Sequence, residues 1–158
     1  ENVLIGTYLR THTGLWSAIL GTPEARREER WAHERAMELL KLVGLQARAQ
    51  EPAGDLPFGL QRRLEIARAL ATNPSLLLLD EPAAGLNPNE KGELLELIGR
   101  LKAQGLTIIL IEHDMGVVMP VSDRVIVLDH GKKIAGGSPE EVQGNPQVIE
   151  AYLGVPTP

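Results

Sequence analysis

The chain has no cysteine and few aromatic residues, with two Trp, two Tyr and one Phe among 158 residues. Lack of cysteine excludes disulfides and thiolate metal sites and fits a reducing compartment. At 3% aromatics the core has to be aliphatic, and 43% apolar residues in one domain-sized chain suffice to build it. No apolar run approaches the length of about 20 residues that crosses a bilayer as a helix. The start of the chain shows no signal-peptide pattern either, so any membrane role is peripheral. A net charge of −5 and a pI near 5.4 argue against a nucleic-acid partner, because phosphate binding is driven by clustered Lys and Arg. An initiator methionine is also missing. The chain opens Glu1-Asn2-Val3, and the natural protein is expected to extend upstream.

What is present is organised around Leu76 to Pro88. Leu76-Leu77-Leu78-Leu79 is cut off by Asp80-Glu81 and the turn Pro82-Ala83-Ala84-Gly85-Leu86-Asn87-Pro88. This pattern reads as a buried strand delivering two carboxylates to a sheet edge, where an open α/β sheet binds its ligands. Upstream, residues 1–23 read as a short helix and then a loop, with His12 and Trp16 as packing or surface residues. From Glu24 to Val43 a helix is expected, with Ala32, Ala36, Leu39, Leu40 and Val43 on one face; Gly44 is its cap. A polar turn region covers Gln46 to Asp55. The turn Leu56-Pro57-Phe58-Gly59-Leu60 then leads into a helix that buries Leu64, Ala67, Leu70 and Ala71 and ends at Asn73-Pro74.

Downstream of Pro88, Asn89 to Lys102 reads as an amphipathic helix with Leu94, Leu95, Leu97, Ile98 and Leu101 inward. Leu106 to Ile111 is a β-branched strand ending in Glu112-His113-Asp114, with Asp114 capping a short helix over Met115 to Val121. A hairpin turning at His130-Gly131 joins Val125–Leu128 to Lys132–Ala135. Ser138-Pro139-Glu140-Glu141 is a capping-box helix start. Asn145-Pro146 opens a last helix through Tyr152 and Leu153, and residues 155–158 are expected to fray. The alternation of strands and helices is that of an α/β domain with a mainly parallel sheet.

Arg62 through Pro88, followed by Glu112-His113-Asp114 and Ser122-Asp123-Arg124, resembles the ATP-binding subunit of ABC transporters. Arg62-Arg63-Leu64-Glu65-Ile66-Ala67-Arg68, Asp80 to Pro88 and Ile111-Glu112-His113-Asp114 look like the branched-chain amino-acid uptake branch. Gly137 to Glu141 and Ala151 to Gly154 are similar to the end of the same branch. The resemblance covers almost the whole chain. It implies part of an α/β, P-loop NTPase-like ABC ATPase core with a mainly parallel sheet and a helical subdomain. Residues 1–73 would be the helical subdomain with its signature loop, 74–136 the carboxyl-terminal part of the core, and 137–158 the helical end segment.

The resemblance also implies roles. Asp80 would close the Walker B strand and hold Mg²⁺, mostly through water. Glu81 would polarise the attacking water as general base, and His113 would be the switch histidine that hydrogen-bonds the γ-phosphate and helps hold Glu81. Ala84, Gly85, Leu86 and Asn87 would be the D-loop touching a second ATP-binding subunit. Pro57, Phe58, Gly59, Leu60 and Gln61 would belong to the signature loop, pressing on ATP held by that subunit. Implied partners are the second subunit, membrane permease subunits and, indirectly, a periplasmic or extracellular binding protein, with the chain cytoplasmic and peripheral on the inner face of the membrane. Implied cofactors are ATP and Mg²⁺.

Three departures stand out. The usual signature is Leu-Ser-Gly-Gly-Gln, and Pro57 offers neither hydroxyl nor N–H, leaving the N–H groups from Phe58 onward and the helix dipole. Asn87 replaces the usual D-loop Asp. No Gly-x-x-x-x-Gly-Lys-[Ser/Thr] occurs in the sequence, nor a glutamine loop or adenine-stacking aromatic. The chain is therefore expected to be the carboxyl-terminal part of an ATP-hydrolysing importer subunit, itself without turnover. The alternatives are a non-catalytic docking module that binds no nucleotide, or an ABC ATPase of another branch such as lipid export.

Overall fold

A computed structural model describes residues 1–10 and 21–153, with Arg10, Tyr152 and Leu153 described in the backbone alone. His12, Trp16, the loop expected around them and the tail at 155–158 lie outside the described residues. The chain forms two compact units, residues 1–111 and 112–158.

Among its described residues the first unit opens with the α-helices α1 (Asn2–Thr7), α2 (Pro23–Leu42) and α3 (Phe58–Ala71). Thr22 starts α2 by accepting the Ala25 N–H at 3.3 Å, and Pro23 at the first helical position loses no ladder bond. The helix ends where Gly44 turns left-handed at φ +77°. Its buried stripe of Ala32, Ala36 and Leu39, continued by Val43, follows the expected face, except that Leu40 is only half-buried. α1 packs on both α2 and α3. Gly6 permits that approach, because a Cβ there would run into the Arg68 carbonyl and the Ala71 methyl. The polar stretch between α2 and α3 folds as two 3₁₀ turns, Gln46–Arg48 and Ala53–Asp55.

On α3 the buried residues are Gly59, Ile66, Ala67, Leu70 and Ala71, while Leu64 is half-buried. The inward face is thus rotated toward Ile66 relative to the expectation. Both helix neighbours, not one, claim this surface: α1 and α2 each pack on α3.

Strand β1 (Leu76–Asp80) pairs in parallel with β2 (Thr107–Ile111), in a register that runs from Leu76 opposite Thr107 to Asp80 opposite Ile111. Parallel neighbours require a crossover, and α4 (Pro88–Ala103) supplies it, burying Leu94, Leu97, Ile98 and Leu101. The four leucines of β1 are not uniformly buried. Leu77 and Leu79 are, whereas Leu76 is 47% and Leu78 60% exposed. Successive strand residues point to opposite faces, and the face bearing Leu76, Leu78, Ile109 and Ile111 is open in the described residues.

The second unit contains α5 (Met115–Val121), the antiparallel hairpin β3 (Val125–Asp129) and β4 (Lys132–Gly137), α6 (Pro139–Gln143) and α7 (Pro146–Leu153). Val125, Val127, Ala135, Val142 and Val148 form its core, with Val118, Met119 and Ile134 packed around it. The hairpin turns at His130 (φ +46°) and Gly131 (φ +75°) as the sequence suggests.

Candidate functional site at the end of β1

The candidate site is the turn that leaves β1. Asp80 is the strand's last residue and lies exposed on the open sheet face. Glu81 follows with φ +44°, a left-handed conformation that a residue with a side chain adopts at a cost. Backbone hydrogen bonds help hold it there. Its N–H donates to the Ile111 carbonyl at 2.9 Å, extending the parallel ladder by one rung, and its carbonyl accepts the Ala84 N–H at 3.1 Å. The Leu86 N–H returns to the Ala83 carbonyl at 3.2 Å, and Gly85 completes the turn at φ +75°. Pro82, Ala83 and Leu86 are buried, so the turn is anchored from below while both acids face outward.

Asn87 ends the turn and starts α4 through a reciprocal capping box. Its side-chain oxygen accepts the Asn89 and Glu90 N–H groups, each at 3.0 Å, and the Glu90 carboxylate accepts the Asn87 N–H at 2.9 Å. Glu90 did not enter the sequence reading, although Asn-x-x-Glu is a legible signal for such a box.

Helix α3 brings the other candidate segment to the same place. Pro57 is its N-cap and makes no side-chain cap bond, while its carbonyl accepts the Leu60 N–H at 2.9 Å and the Gln61 N–H at 3.0 Å. Gln61 reaches back to donate to the Leu56 carbonyl at 2.8 Å. The Phe58 ring lies over Gly85, and a Cβ on Gly59 would stand 2.8 Å from the Glu90 carboxyl carbon. The residues of the Pro57–Gln61 turn and of the Ala84–Asn87 turn are therefore neighbours. Beside them, Arg62, Glu65, Leu78, Asp80 and Pro82 line a cleft of 160 Å³. That is smaller than the roughly 300–1,000 Å³ of a typical small-molecule site, so the cleft alone does not enclose a nucleotide.

His113 follows β2 by two residues and belongs to the second unit. Its ring is exposed, with Nδ1 3.8 Å from the carboxylate of Glu112, whose own side chain is 1% exposed. Among the described residues no group of three His, Cys, Asp or Glu side chains is placed to hold a metal. Asp80 nevertheless suits Mg²⁺, which keeps most of its waters and takes one or two carboxylates plus phosphate oxygens. A lone exposed carboxylate at a strand end meets that requirement, whereas it would not suit a cation that needs an all-protein cage.

A parallel β-α-β unit, two acids at the carboxyl end of its first strand and a preceding helix whose start abuts the following turn define an α/β core of the P-loop NTPase, ABC ATPase kind. Comparison with solved structures agrees. The chain superposes on an ATP-binding cassette of an ABC transporter in its ADP conformation with a TM-score of 0.77 at 31% identity, covering 98% of this chain and 61% of that one. The family model described as "ABC transporter" matches residues 6–84, and that of the "Branched-chain amino acid ATP-binding cassette transporter" matches residues 132–156. The high-affinity branched-chain amino acid transport ATP-binding proteins LivG of Escherichia coli (strain K12) and BraF of Pseudomonas aeruginosa are 50% and 46% identical over 98% of this chain. The chain belongs to the ABC transporter family, and along 98% of its length it is similar to these branched-chain amino-acid ATP-binding proteins. It spans 61% of the length of these relatives.

Proposed function

We propose that these residues form the signature-loop and Walker B part of an ATP-binding subunit that powers import of branched-chain amino acids through a membrane permease. The observation that carries this reading is the turn after β1, which presents Asp80 and Glu81 outward and adjoins the start of α3. The names of the relatives support the substrate class.

Asp80 would hold Mg²⁺ through water, and Glu81, the left-handed residue beyond it, would orient and polarise the water that attacks the γ-phosphate. Mg²⁺ would supply positive charge there to offset the charge of the phosphates. His113 donates to the γ-phosphate. Pro57 has no hydroxyl, so the α3 start addresses ATP of a second subunit with the N–H groups of Phe58 and Gly59 and with its dipole. Ala84, Gly85, Leu86 and Asn87 face that second subunit. No helix among the described residues is long and apolar enough to cross a membrane; the subunit sits peripherally on the inner face of the membrane, held by the permease.

The test is Glu81→Gln in a subunit that carries these residues together with a phosphate-binding loop. ATP binding is expected to persist and hydrolysis to fall by about 10²-fold or more, within the range of a lost general base. Unimpaired turnover would remove Glu81 from this role. Residues 1–158 alone are expected to show no turnover. Recovery of the subunit with an unrelated permease would favour another branch.

A further inference from the structure

Phe58 stands where the usual signature has a glycine, and its ring has two neighbours. Its Cε1 lies 3.1 Å, Cδ1 3.7 Å and Cζ 3.8 Å from the position a Cβ would take on Gly85. The Arg62 guanidinium carbon is also 5.0 Å from the ring centroid, one helical turn along α3. Arg62 is itself steadied by Glu65 at 2.9 Å, and its Nε is buried without a hydrogen-bond partner. Burying that donor is unfavourable, so the guanidinium is kept on the ring at some cost. Phe58 is 49% exposed, yet its ring touches both its own helix and the turn after β1.

We propose that the Phe58 side chain is a positioning residue, coupling the start of α3 to the Glu81–Asn87 turn within one subunit so that the two shift together. This rests on the ATPase reading above, which uses only the Phe58 backbone N–H. The path is short. The ring lies over Gly85, the neighbouring Ala84 N–H bonds the Glu81 carbonyl, and Glu81 sits in a conformation that persists only with outside support. Gly59 against Glu90 makes a second contact, from the α3 start to the first turn of α4, and Glu90 cannot easily yield because it accepts the Asn87 N–H. Engagement of the α3 start by a phosphate would in this way be felt at the residue that orients water. A ring is needed, since only a flat, rigid side chain spans from the helix to a left-handed glycine while offering its face to a cation.

The test has two arms. In the chain itself, hydrogen exchange at the Ala84 and Leu86 amides is expected to rise about tenfold in Phe58→Ala and to stay near wild type in Phe58→Tyr, while the β1 and α4 amides keep their rates. Unchanged exchange at Ala84 and Leu86 would overturn the proposal. If Phe58→Ala does not fold, Phe58→Leu, which keeps apolar bulk without the flat ring, takes its place with the same expectation. In the subunit with its phosphate-binding loop, Phe58→Ala is expected to lower kcat about tenfold with KM for ATP within about twofold, and Phe58→Tyr to restore it. An unchanged kcat, or a loss that Tyr does not restore, counts against Phe58. A wild-type subunit without turnover would instead defeat the ATPase reading, and the exchange arm would still decide the coupling.

Discussion

Glu81 is the residue on which local conformation and chemistry meet. The left-handed region costs a residue with a Cβ about 1–2 kcal/mol, and Glu81 occupies it at φ +44°. Replacing it with Gly relieves that strain but adds about 0.5–1 kcal/mol of freedom to the unfolded chain. Glu81→Gly is therefore expected to leave stability within about 1 kcal/mol of the parent in urea unfolding. Glu81→Val, which brings a β-branched side chain to the same φ, is expected to lose about 1–2 kcal/mol. Equal stability of the two variants would show that the conformation carries no strain. That Asp80 and Glu81 close a strand was legible from four leucines followed by two acids, because such a run has one natural fold in an α/β chain. The left-handed twist at Glu81 was not legible. Glu has no preference for it, and the conformation is imposed by the Ile111 carbonyl on a strand some thirty residues away.

Among the elements, helix starts followed most directly from the sequence, because a cap is a local contract between residues three apart. Ser138 and Glu141 form the box expected of them, with the Ser138 N–H donating to Glu141 at 2.8 Å and the Ser138 hydroxyl accepting the Glu141 N–H at 3.3 Å. Asn87→Ala, which removes the corresponding box on α4, is expected to cost about 1 kcal/mol. In the same subunit it also frees Glu90 to move away from Gly59. In the α6 start, hydrogen bonding to its own backbone N–H and then to Ser138 holds the Glu140 carboxyl below the usual carboxylate range. A carboxyl lowered on folding contributes stability at pH above its unfolded value and loses it as pH falls through the folded one. The second unit is accordingly expected to loosen at the α6 start on acidification below the ordinary carboxylate range. A pH titration of the Glu140 side chain by NMR checks this, and Ser138→Ala is expected to move its midpoint upward. Contacts between elements were less legible. Arg63 reads in sequence as a charge off the apolar face of α3, yet its side chain is only 16% exposed and pairs with Glu93 on α4. Nothing in the spacing of residues 63 and 93 announces that pair. The exposed pairs Arg35–Glu38 and Arg48–Glu51 are local, and each is expected to be worth less than about 1 kcal/mol.

Across the first unit, the largest departure from the sequence reading is the open face of the β1–β2 pair. A run of four leucines carries no alternation, so it reads as buried on both sides. In the structure Leu77 is 4% and Leu78 60% exposed. The same face continues across the register through Ile109 at 47% and Ile111 at 51% exposure. A contiguous apolar surface on a sheet invites association. Residues 1–158 alone are expected to bind an apolar dye and to sediment increasingly as larger species as concentration rises. The two adjacent leucines separate the consequences of burial from those of exposure. Leu77→Ala removes packed volume and is expected to cost about 2–5 kcal/mol. Leu78→Lys replaces a side chain that has little packing to lose, so it is expected to change stability by about 0.5 kcal/mol or less while reducing dye binding and self-association. Urea unfolding and sedimentation of the two variants, compared with the parent, measure both effects. A loss of stability in Leu78→Lys as large as that in Leu77→Ala would mean that the face is covered in solution.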